Sequence, residues 1–317
     1  MSMFLLLLLR LPAYAAPPNV ELGGAIDLIA GVTAAEGGAV GALGLQQAEG
    51  DLRIGSPEFA FNAQLDIAAT FSGEGIFLYS IAPERLSVEG GGKAWKLEGG
   101  VFPAYFRMES VDPWRANGVV RSLAHARLPG AVLGAGAQLG DNRGGVDLLI
   151  GAQPSTVDVF RLDDAPVSLP FIAGARGRLG VQSVRIAGGA WFAGHLGAMG
   201  VGGMELGMDA DLGVVVPYGE FVSDLREGHA GFLGADLFPD GLVTPGARVE
   251  LDSERGFGVG VGAAATLFGI VRLKGEANYQ AGNPGVFVEV AVFSKAPIDD
   301  DARGFVNRPA PARKAPR

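Results

Sequence analysis

From Phe59 to Phe71 the chain reads FAFNAQLDIAATF, with an apolar side chain at every second place. Phe59, Phe61, Ala63, Leu65, Ile67, Ala69 and Phe71 form one set, and Ala60, Asn62, Gln64, Asp66, Ala68 and Thr70 the other. Successive side chains of a β-strand point to opposite faces, so this period predicts a strand with one apolar and one polar wall. Strands of globular proteins are usually shorter, about five or six residues. A tilted membrane-crossing strand needs roughly 9–11 residues and carries aromatics near both interfaces. The length and terminal phenylalanines of this stretch fit the second kind.

The period recurs along the chain. Val20–Val32 sets Val20, Leu22, Gly24, Ile26, Leu28, Ala30 and Val32 against Glu21 and Asp27. The Gly/Ala-rich residues 33–58 then read as a long surface loop. Ile76–Ile81 and Leu86–Glu89 read as strand pieces separated by Pro83, a residue that belongs at an edge, an end or a bulge. Ala94–Phe106 resumes the pattern, and the polar, irregular residues 107–127 form either an outer loop or a segment folded into a pore. Hairpins follow: Ala131–Leu139 with Val146–Ala152, and Phe171–Leu179 with Val184–Phe192. Met204–Leu212 alternates Met204, Leu206, Met208, Ala210 and Leu212 with Glu205, Gly207, Asp209 and Asp211. Val214–Val222, Phe232–Phe238, Leu242–Leu251, Phe257–Ala265, Ile270–Tyr279 and Val286–Phe293 complete the series.

Short turns alternating with longer connections predict a transmembrane antiparallel β-barrel of about fourteen strands, within roughly 12–16 and even in number. A soluble sandwich is the weaker reading for two reasons. Closure removes the unpaired strand edges that lipid cannot tolerate. The polar faces also carry too many charges for a dry core, whereas a water-filled lumen solvates them.

Composition narrows the class further. With 48% hydrophobic and 19% charged residues, disorder is excluded. No apolar run is long enough for a transmembrane helix. A net charge of −9 argues against a nucleic-acid partner. The start, MSMFLLLLLRLPAYA, has a short apolar core and an A-x-A site at Ala13-Tyr14-Ala15, so residues 1–15 read as a signal peptide. Residues 16–294 then form the barrel, and the Pro/Ala/charge-rich 295–317 a flexible tail. Export combined with this all-β pattern points to the outer membrane of a Gram-negative bacterium.

Between Leu97 and Pro154 the chain resembles the outer-membrane β-barrel porins related to the phosphate-selective family. The resemblance rests on LEGGVFPAYFRMESV, where Gly99 and Gly100 precede Phe102, and on Pro129-Gly130 at the entry to the next hairpin. Arg248-Val249-Glu250 is similar to the arginine-containing strand near the end of such chains. This resemblance implies a solute channel embedded in outer-membrane lipid, and homotrimers as a common assembly.

Signs of catalysis are missing from the sequence. His125, His195 and His229 lie apart, without metal-ligand spacing, and there is no G-x-S-x-G elbow. Gly260-Val261-Gly262-Ala263-Ala264-Ala265 mimics a dinucleotide fingerprint but lacks its βαβ context, so these are strand glycines and no cofactor is expected. The candidate chemistry is a set of inward charges: Lys96, Glu98, Arg176, Arg178, Arg185, Glu205, Asp209, Asp211, Arg248, Glu250, Arg272, Lys274 and Glu276, together with Asp27, Asp66, Asp147 and Glu289. Arg176, Arg178 and Arg185 suggest a local anion site, since guanidinium forks suit phosphate or carboxylate. Acids outnumber bases overall, which leans the lumen toward cations. The expected function is passive diffusion of small hydrophilic solutes or ions. The alternative is an adhesin-like barrel whose outer loops bind a ligand.

Overall fold

The computed structural model describes residues 18–35, 38–56, 58–72, 75–92, 94–106, 122–124, 128–141, 143–153, 170–181, 183–194, 200–225, 228–239, 241–280 and 282–294. Residues 1–15, expected to form a signal peptide, residues 295–317, expected to form a tail, and His125 and His195 lie outside the described residues.

Sixteen strands make one sheet: β1 (Asn19–Ala35), β2 (Gly38–Gly55), β3 (Phe59–Ser72), β4 (Gly75–Gly92), β5 (Trp95–Pro103), β6 (Ala131–Asp141), β7 (Gly144–Ala152) and β8 (Phe171–Val181) form the first half. The second half is β9 (Val184–Gly194), β10 (Val201–Ala210), β11 (Val215–Asp224), β12 (Gly228–Leu237), β13 (Val243–Asp252), β14 (Gly256–Leu267), β15 (Val271–Gln280) and β16 (Asn283–Phe293). Each pairs antiparallel with its sequence neighbours, and β1 closes on β16, with Asp27 opposite Ala291. No strand edge is left open. The expectation of a closed antiparallel barrel holds, with two more strands than about fourteen.

The stave missing from the expected series is β2, which lies within the residues expected to form a loop. Its small outward residues, Ala48 and Gly50, hid a regular alternation with Gln47, Glu49 and Asp51, which are buried on the inner wall, and half-buried Arg53. A bulge between Leu45 and Ala48 also breaks its phase against β3. Pro83 does not split β4. Gln64 pairs with Arg85 and Leu65 with Pro83, so Glu84 is the extra residue of a bulge that absorbs the missing proline N–H.

Apolar side chains face outward around the wall, as at Leu22, Leu97, Ile150, Leu206, Leu233 and Val288, all exposed. From β5 onward the strands run 9 to 12 residues. At about 3.3 Å per residue and a tilt near 40°, they make an apolar band roughly 25 Å tall. Exposed aromatics gather at both of its margins. Phe59 and Trp95 lie at the rim that carries the two chain ends, and Phe171, Phe192, Phe221, Phe257 and Tyr279 lie at the other. That second rim also carries the longest connections, residues 104–130 and 153–170. We call the two margins the terminal rim and the loop rim.

One glycine is required by the backbone itself. Gly100 in β5 has φ +126°, and a Cβ there would sit 2.3 Å from the Leu86 carbonyl oxygen. The bend at Gly100 leads the chain toward Phe102 and into the interior. Gly100→Ala is expected to destabilise the barrel by about 1–3 kcal/mol, seen as a lower urea midpoint for the folded, heat-modifiable band.

Candidate solute channel

The inner wall is built from the second residue set of every strand. Among the candidate charges, Lys96 and Glu98 come from β5, Arg176 and Arg178 from β8, Arg185 from β9, and Glu205 and Asp209 from β10. Arg248 and Glu250 come from β13, and Arg272, Lys274 and Glu276 from β15. These side chains are buried or half-buried, whereas most of their sequence neighbours on the opposite face are exposed. Asp211 is a correction. β10 ends at Ala210, and Asp211 sits in the following turn, where its Oδ1 accepts a hydrogen bond of 2.9 Å from the Gly213 N–H.

Register decides which charges meet. Arg176 of β8 pairs with Glu205 of β10, although β9 lies between them. The β9 residue opposite both is Gly189, so nothing stands in the way. Arg248 reaches Glu276 at 3.5 Å across β14, whose inward residues there are Gly260 and Gly262, and it also pairs with Glu250. Adjacent staves supply Arg185 with Asp209 at 2.7 Å, Arg178 with Asp147 at 2.8 Å, and Lys274 with Glu289. On the opposite side Glu89 holds both Arg53 and Lys96, and Arg85 lies 3.6 Å from Glu98. The glycines of the dinucleotide-like run therefore serve as gaps over which neighbouring charges join.

A second set of contacts escaped the sequence reading. The β5–β6 connection folds inward where it is described. Phe106 packs at a tilt against Trp191 of β9, with 5.3 Å between ring centroids. Its ring fills the space above Gly174 and Gly189, where added Cβ atoms would lie 2.4 and 2.9 Å from it. Tyr105 lies over Gly136 in the same way and packs on Phe102 at 5.6 Å. Farther along, the Leu123 N–H donates to Glu250 Oε2 of β13 at 2.8 Å, which places Leu123 against the inner wall. Val132, Leu149, Ile172, Val222 and Phe232 complete an apolar cluster around it. Of the two roles open to residues 107–127, the flanking described residues take the one inside the barrel.

Acid outnumbers base on the described inner wall. Among the described residues, fourteen carboxylate side chains are buried against four basic ones, Arg85, Arg176, Arg248 and Lys274. Half-buried Arg53, Lys96, Arg178, Arg185 and Arg272 add to the bases. Glu49, Asp51, Glu89, Glu220 and Asp236 are among these acids and were absent from the expected set. Each buried charge costs several kcal/mol unless it is paired or hydrated.

Among the described residues no group of three or more His, Asp or Glu is placed to hold a metal ion. His229 contacts Ser223 at 2.9 Å and stacks on Phe221 at the loop rim.

No protein-family model matches the chain, and no curated protein does. Solved structures do match in fold. An anion-selective porin from Comamonas acidovorans is 14% identical, with a TM-score of 0.59 over 87% of this chain and 100% of that one. A loop-deletion variant of OmpT, an outer membrane protein of Vibrio cholerae, is 10% identical, with a TM-score of 0.61 over 88% and 100%. A substituted form of the porin from Rh. blastica is 14% identical, with a TM-score of 0.58 over 87% and 100%.

Proposed function

We propose that this protein is an outer-membrane porin through which small hydrophilic solutes and ions diffuse passively. The observation that carries the reading is a closed barrel with an apolar outer band and an inner wall lined by charged side chains. The loop rim, with its long connections, faces outward from the cell, and the terminal rim faces the periplasm. The porin folds that the chain resembles support the same reading. Catalysis has no place in it.

The preferred solutes are cations. Arginines 176, 178 and 185, which in the sequence suggested an anion site, each carry a carboxylate partner. Among the described residues the inner wall carries more carboxylates than bases, and that balance would set the sign of the field in the lumen. Phosphate selectivity, the finer implication of the family resemblance, needs the opposite sign.

Liposome swelling tests the channel directly. Vesicles reconstituted with the folded protein should swell in isosmotic pentose and hexose, with the rate falling as solute size rises. Vesicles that stay as tight as protein-free ones would remove the channel and leave a plugged barrel.

A further inference from the structure

The inner wall from β11 to β15 contains a small niche, open on the lumen side. Its enclosed space of about 30 Å³ admits a head group of a few heavy atoms and leaves the rest of a solute in the lumen. Its floor is glycine: Gly246 of β13, and Gly260 and Gly262 of β14. Its sides are Tyr218, Asp236, Thr244, Arg248 and Glu276. The floor exists because β14 presents almost no side chains inward. A Cβ at Gly246 would lie 2.5 Å from Asp236 Oδ1, so that glycine also makes room for the carboxylate. The niche sits toward the terminal rim, since Asp236 and Thr244 flank the β12–β13 turn. The inward segment touches β13 at the other end of that strand, through Glu250.

Its chemistry is one-sided. Arg248 is the only cation among the lining residues, and Glu250 and Glu276 both engage it. An incoming anion would have to displace a carboxylate from Arg248. Asp236 and Glu276 add negative charge on either side, and the Tyr218 hydroxyl lies 3.4 Å from Asp236 Oδ1. Carboxylates beside an aromatic ring form a setting for an organic ammonium group, which the carboxylates bind by charge-assisted hydrogen bonds and the ring by cation–π attraction. Thr244 adds a hydroxyl on the same wall.

We propose that this niche is a docking subsite for small organic ammonium solutes, such as short aliphatic amines, on their way through the lumen. It rests on the channel reading and gives it a solute class. The site would raise the local concentration of amines at the periplasmic half of the pore, below the inward segment.

Titration calorimetry on the detergent-folded protein tests this with three probes of matched length: butane-1,4-diamine, butane-1,4-diol and butanedioate. The diamine should bind, and the other two should give no saturable heat. Asp236→Asn should weaken the diamine by about tenfold or more. Gly260→Ala should weaken it to a similar degree without changing any charge, because its methyl enters the floor 3.0 Å from Glu276 Oε1. Glu49→Gln, on the distant β2 wall, should leave diamine affinity unchanged. Equal binding of diamine and diol would overturn the proposal, and so would wild-type affinity in either niche variant. An equal loss in Glu49→Gln would also overturn it, by reducing the effect to the general field of the lumen. A barrel that conducts ions but fails these tests loses only the niche, whereas one that binds diamine without conducting loses only the channel.

Discussion

Phe106→Ala is expected to raise single-channel conductance, by about twofold, while the barrel stays folded. The ring is fully buried, wedged over Gly174 and Gly189 and packed at a tilt against Trp191. Removing a buried phenylalanine typically costs about 3–5 kcal/mol. Here that loss falls on the attachment of an inward segment, because the pairing of all sixteen staves remains intact without it. Residues 104–106 are held by the apolar cluster, which also takes in Leu123, and they should swing away from the lumen when the Phe106 ring is lost. Gly174→Val gives an independent route to the same state, since its side chain would collide with the Phe106 ring rather than remove it. Bilayer recordings check both. Wild-type conductance in both variants would mean that this segment does not limit the pore.

The double variant Arg176→Ala/Arg178→Ala should show the second large effect, a reversal potential shifted toward the cation limit in a salt gradient. Arg176 pairs with Glu205 and Arg178 with Asp147, and both carboxylates are buried in the wall. Losing one partner of a buried pair leaves an uncompensated charge, worth about 3–5 kcal/mol of destabilisation. In a hydrated lumen part of that cost is relieved by water and mobile cations, so the defect should appear in selectivity as well as in stability. Adding Glu205→Gln to the double variant should move the reversal potential back toward wild type. An unchanged potential in the double variant would take these arginines off the conduction path.

How much of this was visible beforehand differs from element to element. Phe59–Phe71 is β3 almost residue for residue, because large apolar and polar side chains alternate without interruption. β2 was invisible because glycine and alanine occupy places where lipid-facing strands usually carry large residues, and a bulge shifts its phase. Alternation also located most of the inward charges but not their partners. Arg176 and Glu205 are far apart in sequence, and only the register that sets Gly189 between them brings them together. The inward segment was the least legible feature. Phe102, Val132, Ile172 and Trp191 are inward apolar residues, and nothing in their identity separates them from those facing lipid. One signal was present: Gly136, Gly174 and Gly189 occupy inward positions of three separate strands, and the rings of Tyr105 and Phe106 need those gaps.

Buried carboxylates outnumber buried bases on the described inner wall, and in the proposed water-filled lumen that surplus would gather cations. A planar-bilayer recording of the purified, folded protein in a salt gradient addresses both halves at once. Discrete open-channel steps with a reversal potential on the cation-selective side are the predicted result. A folded barrel that inserts without conductance steps, or one whose potential lies on the anion side, would contradict the account.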